Sequence, residues 1–200
     1  MDETKITLDA YNKFAEYYSN YTYDKISQYH LTQLMSYLNG KKVLDAGCGS
    51  GRDVQYLTAE GLKVVGIDYS DQMISQAKKR FKKGNFRVMD FEKMEFPDAS
   101  FNGIWCCASL IHIPKRNLPN VLKEFSRILS DDGILYVSVK DGEGERMIRY
   151  KKLNHEKALF VYFTQQEIEN FLSHAGFTIL HSSPEEVNSS VWINIYARKS

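Results

Sequence analysis

The sequence predicts an α/β fold: a doubly wound, mostly parallel seven-stranded sheet, antiparallel in its last strand and preceded by N-terminal helices. Three observations lead there. Short runs rich in Val, Ile and Leu alternate with segments of helical periodicity from residue 42 to residue 140, the rhythm of repeated βαβ units. The first of these runs passes directly into a glycine-rich turn and then into a helix. The chain closes on two further strand-like runs joined by a polar stretch, which read as an antiparallel hairpin.

In chain order, Leu8, Tyr11, Phe14, Ala15 and Tyr18 form one apolar stripe at helical spacing, and Ile26, Tyr29, Leu31, Leu34, Met35 and Leu38 a second. Residues 1–40 therefore read as two helices, stopped by Asn39-Gly40. The alternating α/β core, residues 41–140, follows. Its strands are expected at Lys42–Ala46, Lys63–Ile67, Phe86–Met89, Asn102–Cys107 and Ile134–Val139, and its helices at Arg52–Ala59, Asp71–Phe81 and Leu118–Leu129. Residues 141–163 break the alternation with a charged stretch, read as an insertion on the substrate side. In residues 164–200 a helix opens at Thr164-Gln165-Gln166-Glu167, where Thr and Glu fit a capping box, and the strands Thr178–His181 and Val191–Ala197 follow. The whole is read as a single domain of 200 residues, long enough to bury a sizeable core.

Charge narrows the partners. Twenty-six Lys and Arg against 25 Asp and Glu leave a formal charge of +1, too little field to wrap a phosphate backbone, so nucleic acid is not expected. Three cysteines, two of them adjacent at Cys106 and Cys107, make neither a disulfide framework nor a metal-ligand spacing; no metal is expected, and a reducing compartment is. The N-terminal residues carry no apolar signal core and no apolar run approaches a membrane span, so the sequence reading places the chain in the cytoplasm.

The chemistry concentrates in Val43-Leu44-Asp45-Ala46-Gly47-Cys48-Gly49-Ser50-Gly51, a buried strand joined to a helix where an open α/β sheet holds its ligand crevice. Glycines let the backbone turn tightly and bring N–H groups close to a ligand. Asp68 ends the next strand about twenty residues on, where a carboxylate can accept both ribose hydroxyl protons. Together they signal a nucleoside site. Dinucleotide turns read G-x-G-x-x-G, whereas this one reads G-x-G-x-G with Asp45 just before the first glycine.

With Gly66-Ile67-Asp68-Tyr69-Ser70, Val88-Met89-Asp90-Phe91, Phe101-Asn102-Gly103-Ile104-Trp105 and Arg127 through Leu135 following in order, the chain resembles the class I S-adenosylmethionine-dependent methyltransferases of small-molecule type. The resemblance runs from Lys42 to Lys140 and is similar in layout to quinone-biosynthetic and glycine or sarcosine methyltransferases. It implies S-adenosylmethionine as cofactor, with Asp45 and the turn residues Gly47, Cys48, Gly49 and Gly51 along its methionine portion and Asp68 on its ribose. It further implies Asp90 on the adenine amine with Phe91 beside it, Tyr69 and Met73 as apolar walls, and Cys106 to Ala108, with Cys107 between them, as floor. Similar enzymes fold N-terminal helices across the cofactor as a lid, which would bring Tyr11 and Tyr18 to cofactor or substrate; core packing is the other reading of these two.

His112, in Ala108-Ser109-Leu110-Ile111-His112-Ile113-Pro114, should face the transferring methyl group; it titrates near neutrality and can accept a proton, although loop histidines also serve as packed or capping residues. Arg149 and Tyr162, in the 141–163 insertion, are the remaining substrate-side candidates. The expected partner is a small-molecule methyl acceptor. Cys-Ala-Ser-Leu stands after the fourth strand in place of an Asn-Pro-Pro-Tyr tetrad that grips a base amine, which argues against nucleic-acid base methylation. Tyr136 and Lys140 share the spacing of a dehydrogenase pair, but on a strand residues four apart lie roughly 13 Å from each other. Two other readings stand beside the methyltransferase: a non-catalytic S-adenosylmethionine-binding regulator, and a nicotinamide oxidoreductase.

Overall fold

The structure is a computed structural model that describes residues 2–200. In chain order its elements are α1 (Glu3–Lys13), α2 (Ala15–Thr22), α3 (Gln28–Tyr37), β1 (Lys42–Ala46), α4 (Arg52–Ala59), β2 (Lys63–Asp68), α5 (Asp71–Arg80), β3 (Asn85–Val88) and β4 (Phe101–Cys107). They continue with α6 (Leu118–Ile128), β5 (Leu129–Asp141), β6 (Glu145–Tyr150), β7 (Glu156–Phe163), α7 (Gln165–His174), β8 (Phe177–Val187) and β9 (Ser190–Lys199).

The expected seven strands are all present. β3, β2, β1, β4 and β5 run parallel in that spatial order; β9 then pairs antiparallel with β5, and β8 antiparallel with β9. Because β1 feeds β2 on one side while β4 lies on its other side, the strand order reverses between β1 and β4. That reversal opens a crevice beyond their carboxyl ends.

Three expectations are corrected. The N-terminal region holds three helices, because the chain breaks at Phe14 (φ −117°, ψ 23°) and restarts at Ala15. The charged stretch of residues 141–163, where no strand is expected, holds two: β6 and β7 form an antiparallel hairpin, and β7 joins the end of β5 through Lys140–Tyr162 and Asp141–Phe163. Val161, Leu159 and Phe160 are buried there, which the charged residues of the stretch concealed from the sequence reading. β8 also runs well past His181, to Val187, because exposed residues such as Glu185 and Glu186 pair along β9 and need no apolar pattern to do so.

Local chemistry sets the helix starts. Ser70 Oγ accepts from Met73 N at 3.0 Å, capping α5, and Thr164 Oγ1 accepts from Glu167 N at 3.2 Å, capping α7. Only half of the expected capping box forms there, since Glu167 turns its carboxylate to Lys115 Nζ, 2.7 Å from each oxygen. α6 presents Leu118, Val121, Leu122, Phe125 and Ile128 on one face, all buried. Side chains alternate across β5, so Leu135, Val137 and Val139 join one apolar layer while Ile134 and Tyr136 join the other. No helix among the described residues is long and apolar enough to cross a membrane.

Candidate active site

One cavity of about 1080 Å³ occupies the crevice and continues beneath α1, α2 and the β6–β7 hairpin. Ligand pockets run about 300–1,000 Å³, so this one has room for two small molecules side by side.

The glycine turn shapes its inner end. Gly47 N and Cys48 N both donate to Ile67 O, at 2.8 and 2.9 Å, tying the turn to the end of β2. Gly47 and Gly49 adopt φ of +81° and +52°. A Cβ at Gly47 would fall 2.0 Å from Ser109 Oγ, so only glycine lets the turn pass this close to the loop after β4. At Gly49 the nearest atom would be Met73 Cε at 3.5 Å, leaving an open cradle.

Asp68 fixes the geometry beside it. Its Oδ2 accepts from Gly49 N at 3.0 Å and its Oδ1 from Ser70 N at 2.8 Å, so both oxygens are aimed and each keeps a lone pair for a ligand. Burial pushes its pKa up to about 6, with the backbone N–H bonds acting in the opposite direction. Asp45, at the end of β1, is buried, and its Oδ2 has no hydrogen-bond partner. Burial, and next the neighbouring Asp53, hold its carboxyl well above the usual range. A buried oxygen without a partner is costly unless a donor arrives, and a ligand amine at this place is such a donor. Asp90 Oδ1 accepts from Glu92 N at 2.9 Å, and Phe91 beside it packs on Phe125 with ring centroids 5.9 Å apart.

At the other end, His112 closes a short 3-10 turn, Leu110–His112. Its Nδ1 lies 2.7 Å from Leu159 O, an acceptor only, so Nδ1 carries the proton and Nε2 is left to accept. The hydroxyl of Tyr11 donates to that Nε2 at 2.9 Å. Burial lowers His112 to about 4, so the imidazole is neutral at physiological pH. Tyr11 packs edge-on against Tyr18, with centroids 5.1 Å apart, and burial raises the pKa of both phenols.

The cavity lining includes Tyr11, Tyr18, Asp45, Gly47, Cys48, Gly49, Asp68, Tyr69, Met73, Asp90, Phe91, Cys107, Ala108 and His112. Gly51, Arg149 and Tyr162 do not line it. Gly51, at φ +78°, instead lets α4 start against Phe86, whose ring a Cβ would meet at 2.6 Å. Arg149 is exposed and bonds His155 O at 3.4 Å, and Tyr162 stacks under Arg146. Cys106 faces the core, fully buried, because its neighbour Cys107 takes the cavity side of β4.

Sequence reading missed a second set. Arg52 donates from Nε and Nη2 to the two oxygens of Asp53, each at 2.7 Å, and from Nη1 to Lys25 O at 2.6 Å, clasping the end of α2 and the loop after it. Trp105 Nε1 donates to Asp53 Oδ2 at 3.0 Å, and Trp105 stacks on Tyr136 with centroids 4.1 Å apart. Asn194 accepts from Tyr136 OH at 2.8 Å and donates to Glu185, which also meets His30 Nε2 at 2.8 Å. The one available signal was an adjacent Arg-Asp pair in the first turn after the glycines.

Residues 43–133 match the family described as "Methyltransferase domain". Over 103 residues the chain is 33% identical to 27-O-demethylrifamycin SV methyltransferase of Amycolatopsis mediterranei, covering 48% of this chain and 37% of that protein. Among solved structures, a SAM-dependent methyltransferase of Methanosarcina mazei superposes with a TM-score of 0.77 at 23% identity, covering 84% of this chain and 96% of the other. The 1,6-didemethyltoxoflavin-N1-methyltransferase of Burkholderia thailandensis, solved with S-adenosylhomocysteine, gives 0.76 at 22% identity over 96% and 88%. The chain spans 34% to 57% of the length of the first curated relatives it matches. In sequence, then, residues 43–133 match a methyltransferase domain, and in fold the chain is similar to solved S-adenosylmethionine-dependent methyltransferases.

Proposed function

We propose that the chain is an S-adenosylmethionine-dependent methyltransferase that passes a methyl group to a small-molecule acceptor by in-line displacement. The observation that carries this reading is the convergence of Asp45, with its unpartnered buried oxygen, and Asp68 on one cavity at the ends of adjacent parallel strands. Asp45 takes the amine of the methionine portion, Asp68 both ribose hydroxyls and Asp90 the adenine amine. Gly49 leaves room for the cofactor's approach, and Met73, Tyr69 and Phe91 supply apolar walls. When bound, the cofactor supplies an electrophilic methyl on a sulfonium that is already a good leaving group.

The protein's own contribution is alignment and exclusion of water. Positioning can supply up to ~7–11 kcal/mol of the barrier, so no strong base is needed. Tyr11 and His112 hold the proton side of the reaction. With Nδ1 committed to Leu159 O and Nε2 to the phenol, the Tyr11 oxygen keeps lone pairs free to accept from an acceptor O–H or N–H. α1 and α2 exclude water from above. Thr7 Oγ1 accepts from Leu159 N at 2.9 Å, Asn12 Oδ1 from Ser70 Oγ at 2.5 Å and Ser19 Oγ from Arg80 Nε at 2.6 Å. A small acceptor in the cytoplasm fits the charge of +1 and the three free thiols.

Calorimetric titration tests the cofactor, and incubation with labelled methyl donor and a metabolite extract tests turnover. Binding of S-adenosylmethionine with appearance of S-adenosylhomocysteine is expected. Binding without turnover would convert the reading into a regulatory binder, and binding of NAD alone would end it.

A further inference from the structure

Three lysines converge on the part of the cavity bounded by β5, the β6–β7 hairpin and the loop after α2. Lys140 Nζ lies 5.6 Å from the Phe160 ring centroid, 5.3 Å from that of Trp192 and 3.4 Å from Ser190 Oγ. Lys152 Nζ, at the tip of the hairpin, is 5.8 Å from the Tyr150 ring and 5.9 Å from that of Tyr21, and Lys25 Nζ is 3.5 Å from the same Tyr21 ring. All three line the cavity, and among the described residues none pairs with a carboxylate.

Two carboxylates that line the cavity near this wall are engaged elsewhere: Asp53 by Arg52 and Trp105, Glu185 by His30 and Asn194. Neither carboxylate is paired with a lysine of the wall, so the three cations stand without a counter-charge among the described residues. Burial, and then Lys25, Lys140 and Arg52, hold Lys152 below the ordinary lysine range, and burial does the same for Lys140. Like charges gathered in a partly desolvated wall repel, and the arrangement is relieved when an anion sits among them.

We infer that this wall receives a carboxylate or phosphate group on the methyl acceptor, held by Lys140 and Lys152 with Lys25 at the mouth. The inference rests on the proposed function, since it names the acceptor class for that cavity. Phe160 ties the two ends together. Its ring is 5.0 Å from that of His112 and 4.8 Å from that of Tyr150, so the lysine wall and the Tyr11–His112 pair flank one aromatic side chain. An acceptor with a flat apolar body and an anionic end spans them, its nucleophile at Tyr11 and its charge at Lys140 and Lys152.

The test uses the full chain saturated with S-adenosylhomocysteine and three probes of one shape: benzoate, phenyl phosphate and the neutral benzamide. Calorimetry should show one or both anions binding at least about tenfold tighter than benzamide, with the preference shrinking at high salt. Lys140→Met and Lys152→Met should each lower the anion affinity about fivefold or more while S-adenosylhomocysteine binds within about twofold of the unsubstituted chain. The better of the two anions tells carboxylate from phosphate. Equal or absent binding of all three probes overturns the inference, as do variants that bind the anions unchanged. So do variants that lose S-adenosylhomocysteine, which would assign the lysines to the cofactor's own carboxylate. If the unsubstituted chain fails to bind S-adenosylhomocysteine, the proposed cofactor falls, and the same anion titration on the ligand-free chain still decides the lysine wall.

Discussion

The two ends of the cavity are built by different means. At the inner end the backbone does most of the shaping: Gly47, Cys48, Gly49 and Ser70 contribute N–H groups, and Asp68 is aimed by two of them. At the outer end side chains from remote segments meet, Tyr11 with His112 and His30 with Glu185, across sequence separations of 101 and 155 residues. A site aimed by backbone is rigid and bound to one ligand geometry. A site assembled from side chains on a helical roof and a hairpin can be altered one residue at a time.

Breaking the inner end should have the largest effect. Asp68→Ala removes the two charge-assisted ribose contacts proposed for it, each worth about 1.5–3 kcal/mol, and S-adenosylmethionine affinity should fall at least about 100-fold with far-ultraviolet circular dichroism unchanged. Retained affinity would mean that Asp68 only braces Gly49 and Ser70. At the outer end, Tyr11→Phe should lower turnover about tenfold and leave cofactor affinity within about twofold, because one hydrogen bond to a neutral histidine is lost and nothing at the glycine turn moves. Parallel loss of both quantities would show that the two ends are not separable.

Acid sharpens the same contrast. The ribose contact proposed for Asp68 needs its carboxylate as an anion, which protonates as pH falls through about 6, so cofactor affinity should fall about fourfold from pH 7 to pH 5.5. His112, at about 4, stays neutral across that range and contributes no slope. A titration curve flat from pH 7 to 5.5 would remove Asp68 from the binding event. The smallest effect is expected at Arg149→Ala, which should change neither binding nor turnover more than about twofold, since Arg149 is exposed and reaches only His155 O.

Legibility in the sequence divides along the same line. Strand periodicity, the glycine turn and the aspartate about twenty residues on lie within one short stretch, and local geometry alone brings Gly49 to Asp68. The Tyr11–His112 contact required knowing which face of α1 lies over the loop after β4, which periodicity does not specify. The 141–163 stretch misled because its exposed charges mask a strand whose buried residues, Ala158 through Val161, sit among lysines and tyrosines. Chemistry alone does not separate the residues of that stretch: Arg149 and Tyr162 lie off the cavity, whereas Tyr150 and Lys152 line it.

The hairpin that supplies Tyr150 and Lys152 pairs with the main ladder at only two positions, at the end of β5. Its other ties run to the helical roof and to the turn after β4, where Leu159 N donates to Thr7 Oγ1 at 2.9 Å and Leu159 O lies 2.7 Å from His112 Nδ1. Altering the hairpin therefore moves Tyr150 and Lys152 together with the Leu159 carbonyl that sets the His112 tautomer, while the glycine turn and Asp68 sit on β1 and β2, which do not pair with it.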